Sequence, residues 1–383
     1  MAIVTLIKEL WGVLHFVCSL QFWRMALLWT FSILFSHYQL LKASIFSQKL
    51  ISYPRCSPST STLRPVCVIT GATSGLGLAT AYELSKEGYV VVIVGRSREL
   101  LLETIKKIKA WNEDAHLKDF QVDLSSIESI MKFRESLRQW LLDSDLHCSV
   151  QVLINNAGIL ATSPRVTAEG YDQMIGTNYI GAFVLTNLLL PLLESSPVSS
   201  RIVNVASFTH RAVTDVQVDE GTVSGKRFLS SRQYPYAQMY EYTKLYLLLF
   251  SYELHRQLCL INKSHQIFVN VADPGIVQTN IMREIPVSLS CLAFSVLKRL
   301  HLLQPPECGI NSIIDAALAP PGTSGAYFFG GKGRTINSSA LSRDAKLARE
   351  LWETTCKLLS VTPFGVETNT LALDLMSCRK KNE

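Results

Sequence analysis

The fold of this chain is decided by residues 66–77, which read Val-Cys-Val-Ile-Thr-Gly-Ala-Thr-Ser-Gly-Leu-Gly. The opening run, 66–70, is apolar and β-branched, as expected for a buried parallel strand. A glycine-rich loop follows it, and then a helical pattern. Backbone amides in such a loop can approach a pyrophosphate, whose charge the helix N-terminus favours. Although the spacing is not the commoner fingerprint, it predicts a dinucleotide site comprising Gly71, Ser74, Gly75, Leu76 and Gly77.

Strand-like runs alternate with helical patterns outward from this loop. The predicted strands are 66–70, 90–94, 119–122, 152–154, 201–205, 267–272 and 325–329. Short right-handed connections between such strands give a parallel sheet with helices on both faces. The sequence therefore predicts an α/β fold with a Rossmann-type doubly wound parallel sheet.

Arg96 follows the second predicted strand, where dinucleotide folds discriminate between cofactors. An acidic residue there would bind a free ribose hydroxyl, whereas an arginine suits a 2′-phosphate. The sequence thus favours NADP(H) over NAD. The alternative is a surface arginine that caps the following helix.

Polar and small residues follow the next strands of the predicted sheet. Asp123, with Leu124 after it, could accept a hydrogen bond from adenine, but an N-cap role for Asp123 or Ser125 is an equal alternative. The segment 155–158 could let its backbone lie against a cofactor, and its candidate residues are Asn156, Ala157 and Gly158.

Tyr240 and Lys244 are the candidate proton-transfer pair. Four positions apart on a helix, they share one face, so the ammonium can lie near the phenol. A phenol with a pKa of about 10 is a poor acid at neutral pH until a positive neighbour favours its ionised form. Tyr242 is a rival phenol, but it lies only two positions from Lys244 and should face elsewhere.

Composition separates an N-terminal segment from the rest of the 383 residues. Residues 10–35 are mostly apolar and interrupted by Arg24, so a single membrane span is plausible but marginal. An interfacial helix or hairpin and a removed targeting peptide are the alternatives. We expect a hydrophobic anchor and Ser/Pro linker at 1–64, a single catalytic domain at 65–331, and a C-terminal helix and tail at 332–383.

Charge and cysteines constrain the partners and the compartment. The net charge of +6 is spread thinly, without a long basic block, which argues against nucleic acid and fits a protein beside an anionic membrane. The nine cysteines lack metal-site spacing, so we expect no metal and interpret them as small buried hydrophobes in a reducing compartment.

Two further apolar segments are candidates for contact with the substrate, the membrane or a second copy of the chain. Residues 285–303 are interpreted as a lid over the substrate that also touches the membrane, with a buried helix as an even alternative. Residues 245–250 make the helix 237–260 apolar on most faces, which predicts core packing, with a homodimer interface as the alternative.

Taken together, these ordered motifs resemble the short-chain dehydrogenase/reductase family over about residues 65–331. Within it, the membrane-associated retinol-dehydrogenase-like branch is most similar, including a plant member. The resemblance implies that Tyr240 exchanges the proton, and that Lys244 lowers its pKa and contacts the nicotinamide ribose. It further implies that Ser207 hydrogen-bonds the reacting oxygen and that Asn178 holds a relay water. Further cofactor contacts would come from Pro274, Gly275 and Thr279.

Two departures from the family pattern concern the substrate side. Ala206 stands where many relatives carry another serine, and the separation between Ser207 and Tyr240 is long for the family. They put the substrate-side geometry in question more than the chemistry.

The expected function is NADP(H)-dependent hydride transfer to or from a small lipophilic alcohol or carbonyl compound. Basic residues after the apolar run place the domain on the cytosolic side of a membrane, with the endoplasmic reticulum expected. A plastid location after removal of a transit peptide is the alternative. A dinucleotide-binding regulatory protein with little turnover is the alternative function.

Overall fold

The computed structural model describes residues 11–45 except 12 and 15, 51–57, 64–260 except 145, and 266–360. Within these ranges, the predicted strands form one parallel sheet in the order β3-β2-β1-β4-β5-β6-β9. Its strands are β1 Val66–Thr70, β2 Val90–Gly95, β3 His116–Gln121, β4 Val152–Asn155, β5 Ser200–Val205, β6 Ile267–Asp273 and β9 Tyr327–Phe329. The doubly wound fold is confirmed.

Strand boundaries differ most from prediction at the two edges of the sheet. The edge strand β3 begins at His116 rather than 119, because it pairs with β2 along its whole length. At the other edge, β9 is shorter than predicted and pairs only with the end of β6. A small second sheet pairs β7 Ile276–Val277 with β8 Leu303–Gln304 and was not predicted.

The order of the strands places β1 in the interior of the sheet, third of seven. It pairs with β2 on one side and with β4 on the other, and all of its side chains are buried. Burying an aliphatic side chain stabilises the fold by about 1.5–3 kcal/mol. The β-branched run at 66–70 therefore holds the following loop at the carboxyl edge of the sheet.

Helices cover both faces of the sheet and enclose two separate hydrophobic clusters. The longer helices are Gly75–Lys86, Arg98–Trp111, Ile127–Asp143, Gly181–Glu194, Tyr236–Leu260, Val287–Arg299 and Ala345–Ser360, with short ones at Glu220–Val223, Lys226–Leu229, Pro306–Gly309 and Asn311–Ala317. We call Tyr236–Leu260 the catalytic helix and Val287–Arg299 the lid helix.

The catalytic helix uses its apolar run for the core of its own chain. Every residue from 245 to 250 is buried, as the core-packing interpretation predicted. The homodimer remains a prediction.

Gln173–Glu194 is the one helical stretch among the described residues that is long and apolar enough to cross a membrane. It includes the π-helix Gly176–Ile180, and most of it is buried inside the protein. Its apolar character is thus explained by its position in the core.

The N-terminal segment packs along the domain. It forms Leu20–Arg24, the π-helix Met25–Trp29 and Thr30–Ile45, which we call together the N-terminal helix. Ile33 and Leu40 are buried in a third cluster with residues of β6, β9 and the catalytic helix. Arg24, which disfavours membrane insertion, forms an ion pair with Glu241. Anchoring through this segment therefore remains a prediction.

Segments on either side of the predicted domain boundaries also contact the sheet and its helices. Arg55 pairs with Asp315 at 2.7 Å, and Trp352 of Ala345–Ser360 packs on Phe183 and Phe250. Residues 58–63, which include most of the predicted linker, and residues 361–383 of the predicted tail lie outside the described residues.

Burial of the cysteines was predicted wrongly. Of those that the structure describes, Cys67 in β1 is buried and five are exposed, namely Cys18, Cys56, Cys259, Cys291 and Cys308; all the described cysteines are free thiols.

Candidate active site

A cleft of about 620 Å³ opens at the carboxyl edge of the sheet. It is lined by nearly all of the predicted site residues: Gly71, Ser74, Gly75, Leu76, Gly77, Arg96, Leu124, Asn156, Ala157, Gly158, Ser207, Tyr240, Lys244, Pro274, Gly275 and Thr279. Asp123 and Asn178 do not line it. Ligands of open α/β sheets bind at this edge.

The glycine loop brings its backbone close to neighbouring backbone. A Cβ on Gly77 would lie 2.3 Å from the carbonyl oxygen of Gly71, and a Cβ on Gly71 would lie 2.9 Å from Cα of Ala157. Gly71 and Gly75 also adopt positive φ angles of 65° and 53°, which glycine tolerates best. Ser74 does not cap the helix Gly75–Lys86 with its side chain, so the first helical amides suit a bound phosphate.

The loop after β4 braces the glycine loop through Thr70 and Asn156. The hydroxyl of Thr70 accepts hydrogen bonds from the backbone N–H groups of Asn156 and Ala157, both at 3.0 Å. The side-chain amide of Asn156 donates to the Thr70 carbonyl oxygen at 2.8 Å. These bonds connect the two candidate cofactor-binding loops.

Arg96 is exposed at the end of the cleft. It does not cap the next helix; Ser97 does, accepting a hydrogen bond from the backbone N–H of Leu100. The capping alternative is therefore wrong, and the position of Arg96 suits an anionic group of the cofactor.

Asp123 lies beside the cleft without lining it. Its Oδ1 accepts hydrogen bonds from both the backbone and the hydroxyl of Ser125, at 2.9 and 2.7 Å. The helix begins at Ile127, and its N-cap is Ser126. Both N-cap alternatives are therefore wrong, because Asp123 stabilises the turn that precedes the cap.

Asn178 lies in the π-helix Gly176–Ile180, fully buried behind the cleft. Its Oδ1 accepts a hydrogen bond from the backbone N–H of Ile159 at 2.8 Å. Its Nδ2 donates to the Ile159 carbonyl and to the Thr243 hydroxyl. The side chain thus connects the loop after β4 to the catalytic helix, and its role in holding a water remains a prediction.

Tyr240 and Lys244 face the cleft together, with the lysine Nζ 5.6 Å from the centre of the tyrosine ring. The Lys244 ammonium donates to the Val205 carbonyl oxygen at 2.9 Å. Burial lowers the pKa of Lys244 to about 8, although nearby Asp273 acts in the opposite direction. The ammonium is therefore still mostly charged at neutral pH.

The pKa of Tyr240 is raised in this structure, first by burial and then by the charge of Asp273. The expectation that Lys244 lowers it is not met in the protein alone, because the ammonium bonds to Val205 instead of the phenol. The phenol is therefore fully protonated in the protein alone, and donation of its proton needs a neighbouring positive charge that favours the phenolate.

Tyr242 faces away from the cleft, as its spacing predicted. Its ring stacks on Tyr246 and contacts Phe228, and its hydroxyl accepts a hydrogen bond from Gln238 at 2.8 Å. This leaves Tyr240 as the phenol beside Lys244.

Ser207 follows β5, and its hydroxyl oxygen accepts a hydrogen bond from the backbone N–H of Thr209 at 3.3 Å. Its own O–H proton is then available to a ligand in the cleft. His210 holds Ser207 from behind, since its Nδ1 lies 2.6 Å from the Ser207 carbonyl oxygen. The Nε2 of His210 accepts from the backbone N–H of Ser339 at 3.1 Å, which fixes the neutral tautomer. Burial lowers the pKa of His210 to about 3.

The end of β6 supplies the remaining wall on the cofactor side. Asp273 is buried and accepts hydrogen bonds from the Tyr327 hydroxyl at 2.6 Å and the Gly275 amide at 2.9 Å. A Cβ on Gly75 would lie 3.2 Å from Cγ2 of Thr279, so this loop borders the glycine loop directly.

The opposite wall is apolar and comes from elements outside the predicted motifs. Its residues include Phe22, Met25 and Trp29 of the N-terminal helix and Leu289, Leu292 and Val296 of the lid helix. None of the lid-helix residues is buried, so the buried-helix alternative is wrong. The placement of this helix over the cleft agrees with the lid interpretation.

His210, Asp273, Glu241 and Trp29 are site residues that the sequence analysis did not identify. Asp273 could have been recognised from its position at the end of a strand, immediately before Pro274. Glu241 and Trp29 carry no local signal, since they contact each other across 212 positions. His210 lies three positions from Ser207, but its other contact is with Ser339, 129 positions away.

Comparison with known proteins identifies relatives over most of the chain. The family model described as short chain dehydrogenase matches residues 65–217. Human polyprenol dehydrogenase is 33% identical over 77% of this chain and 85% of its own length. Human retinol dehydrogenase 13 is 28% identical over 86% of this chain and 95% of its own length. The Brassica napus short-chain dehydrogenase TIC 32 B, chloroplastic, is 31% identical over 77% of this chain and 89% of its own.

Solved structures share the fold. An uncharacterized protein from Mycobacterium Paratuberculosis superposes with a TM-score of 0.59 and 25% identity, covering 82% of this chain and all of its own. The Pseudomonas aeruginosa RhlG/NADP complex superposes with a TM-score of 0.54 and 22% identity, covering 72% of this chain and 98% of its own.

Proposed function

The chain belongs to the short-chain dehydrogenase family, and we propose that it is an NADP(H)-dependent oxidoreductase acting on a lipophilic alcohol or its carbonyl counterpart. One observation carries the proposal: Tyr240, Lys244 and Ser207 lie in one cleft, between the glycine loop and an apolar wall. The names of relatives that act on retinol and polyprenol support an apolar substrate.

The residues present fit a nicotinamide dinucleotide. The glycine loop leaves the space that a Cβ would fill, the amides of Gly75–Lys86 suit a pyrophosphate, and exposed Arg96 suits a 2′-phosphate. When bound, the cofactor supplies or accepts the hydride. The other steps of the reaction belong to side chains of the protein.

In the reducing direction, Tyr240 donates its phenolic proton to the carbonyl oxygen of the substrate. Its raised pKa keeps that proton in place until transfer, and the nearby Lys244 ammonium stabilises the phenolate that transfer leaves behind. The Ser207 hydroxyl keeps its proton and donates a hydrogen bond to the same oxygen as negative charge develops there. Asn178 positions the loop after β4, and the water that we expect it to hold would return a proton to Tyr240.

We further propose that the enzyme lies on the cytosolic face of a membrane. The outer face of the N-terminal helix exposes Trp23, Leu27 and Phe31, and the lid helix exposes Leu292 and Val296. Such faces suit an interfacial helix better than a separate span. Flotation with phosphatidylcholine vesicles should recover the parent protein, and failure to float would contradict membrane binding.

The position of the N-terminal helix also bears on the compartment. Its contacts with the domain favour a retained N-terminus, and hence the endoplasmic reticulum, over a removed transit peptide. N-terminal sequencing of the mature protein tests this, because a start near residue 65 would support the plastid alternative.

The test of the chemistry compares the parent with Tyr240→Phe, both purified in detergent. NADPH oxidation is followed with retinal, a polyprenal and a panel of other lipophilic aldehydes and ketones. Turnover by Tyr240→Phe should fall by about a hundredfold or more while NADPH binding is kept. Tyr242→Phe is the matched control and should retain the parent rate.

Two outcomes would contradict the proposal. A parent rate in Tyr240→Phe would exclude the phenol as the proton donor. Tight NADPH binding without turnover by the parent would favour a regulatory protein that senses the dinucleotide.

A further inference from the structure

The N-terminal helix makes its most specific contact with the residue next to Tyr240. Nε of Arg24 lies 2.9 Å from each carboxylate oxygen of Glu241. The indole N–H of Trp29 donates to the same carboxylate at 2.8 Å. Glu241 itself is fully buried, and among the described residues the partners of its carboxylate, Arg24 and Trp29, both come from the N-terminal helix.

A buried carboxylate needs such partners, because an unpaired charge in the interior is strongly unfavourable. Burial raises the pKa of Glu241, and the contacts with Arg24 and Trp29 oppose that change. The Glu241 carboxylate therefore holds the N-terminal helix at one position relative to the catalytic helix. A segment that served only as a tether would need no such contact.

Trp29 also touches the candidate proton donor. Its ring centre lies 5.7 Å from that of Tyr240, with the ring planes inclined at 43°. Trp29 lines the cleft together with Phe22 and Met25, and residues of the lid helix complete the same apolar wall. An apolar substrate whose oxygen reached Tyr240 would therefore lie close to the indole.

We infer that the N-terminal helix is the substrate-side wall of the active site and that Trp29 is a specificity-determining residue, held in place by Glu241. The inference rests on the proposed function, because it assumes that Tyr240 marks the reacting end of the cleft. It assigns to the N-terminal segment a part in substrate selection that membrane attachment does not require.

Trp23 on the same helix provides a matched control. It is 51% exposed, does not line the cleft, and packs its ring against Phe22. Changing either tryptophan to alanine removes the same side chain from the same helix. Only the change at Trp29 removes a side chain that lines the cleft.

The experiment compares the full-length parent, Trp29→Ala and Trp23→Ala in detergent. Retinol binding is measured from the fluorescence of retinol, NADPH binding from that of the nicotinamide, and turnover with retinal and with benzaldehyde. Trp29→Ala should weaken retinol binding about tenfold and lower the ratio of kcat/KM for retinal to that for benzaldehyde by a similar factor. Its NADPH affinity should stay within about twofold of the parent value, and Trp23→Ala should match the parent throughout.

A conservative variant separates the wall from the hydrogen bond. Trp29→Phe keeps a smaller aromatic ring in the wall and removes the N–H that reaches Glu241, so the retinal preference lost in Trp29→Ala should be largely restored. If Trp29→Ala does not fold, Trp29→Leu replaces it, because leucine makes the wall smaller with a smaller loss of packing. Trp29→Leu should also lower the ratio of kcat/KM for retinal to that for benzaldehyde.

The outcomes distinguish this inference from the proposed function. Equal effects of Trp29→Ala and Trp23→Ala on retinol binding, or an unchanged retinal preference in Trp29→Ala, would overturn the inference. Selective loss of retinol binding in Trp29→Ala with no turnover by the parent would refute the proposed function and leave the wall supported.

Discussion

The two sides of the cleft are built in different ways. The cofactor side consists of loops at the ends of neighbouring strands, where backbone approaches backbone, as between Gly77 and Gly71. The substrate side joins segments that are far apart in sequence, as the contact between Arg24 and Glu241 across 217 positions illustrates. Side-chain contacts hold the substrate side together, whereas loop geometry holds the cofactor side.

This difference shows where variation is tolerated. Where backbone approaches backbone, few residue types other than glycine can be accommodated. We therefore expect the cofactor side to be similar in relatives that use the same cofactor. Side-chain packing accepts other shapes, so the substrate side can change with the substrate. A change on the cofactor side should therefore weaken cofactor binding and leave substrate binding unchanged, and a change on the substrate side should do the reverse.

The largest effect is expected for Gly77→Ala. The added Cβ would lie 2.3 Å from the Gly71 carbonyl oxygen, so the loop must move, and we expect NADPH affinity to fall about a hundredfold, or about 2.7 kcal/mol. Fluorescence titration measures it, with retinol binding followed in parallel. Gly221→Ala, away from the cleft, is the control and should bind both ligands normally. An equal loss of retinol binding in Gly77→Ala would show that the two sides are not independent.

A smaller effect is expected for Arg96→Ser, which changes the cofactor side without moving its backbone. Removing the guanidinium should weaken NADPH binding about thirtyfold, or about 2 kcal/mol, and leave NADH binding unchanged. Arg98→Ser is the matched control, because Arg98 is exposed and pairs at 3.4 Å with Asp119 on the surface, which contributes little. Equal losses for NADPH and NADH would refute the assignment of Arg96 to the 2′-phosphate.

The smallest effect concerns His210, which links Ser207 to Ser339 on the substrate side. The folded protein keeps the pKa of His210 at about 3, whereas the unfolded chain has about 6.5. Below pH 6.5 the unfolded state thus binds a proton that the folded state does not, and stability falls as the pH falls. Between pH 6.5 and 5.5, the free energy of unfolding of His210→Asn should fall by about 1 kcal/mol less than that of the parent.

Urea unfolding at the two pH values measures this difference. His301→Asn is the control, because His301 is exposed and its positive φ of 56° is accessible to asparagine. It should lose as much stability as the parent. If His210→Asn also lost as much stability as the parent between the two pH values, the buried imidazole would not contribute to the fall in stability at low pH.

Prediction from the sequence succeeded where a signal was local. The β-branched strands, the loop at 71–77 and the Tyr240–Lys244 spacing each lie within a few residues, and the structure brings them to one edge. It failed where the partner is distant, as for Arg24, which looks like a defect in a membrane helix until Glu241 is seen beside it. The alternatives that gave a capping role to Arg96, Asp123 or Ser125 were also wrong, because Ser97 and Ser126 cap these helices.

The sequence by itself determined the parallel sheet, the position of the glycine loop and the identity of the candidate proton donor, because strand pattern and helical spacing are properties of short segments. Only the tertiary structure decided that the N-terminal helix lines the cleft, that His210 supports Ser207, and that burial opposes ionisation of Tyr240. These features depend on which surfaces meet after the chain has folded. No short-range pattern encodes them, because desolvation and side-chain contact arise between residues hundreds of positions apart.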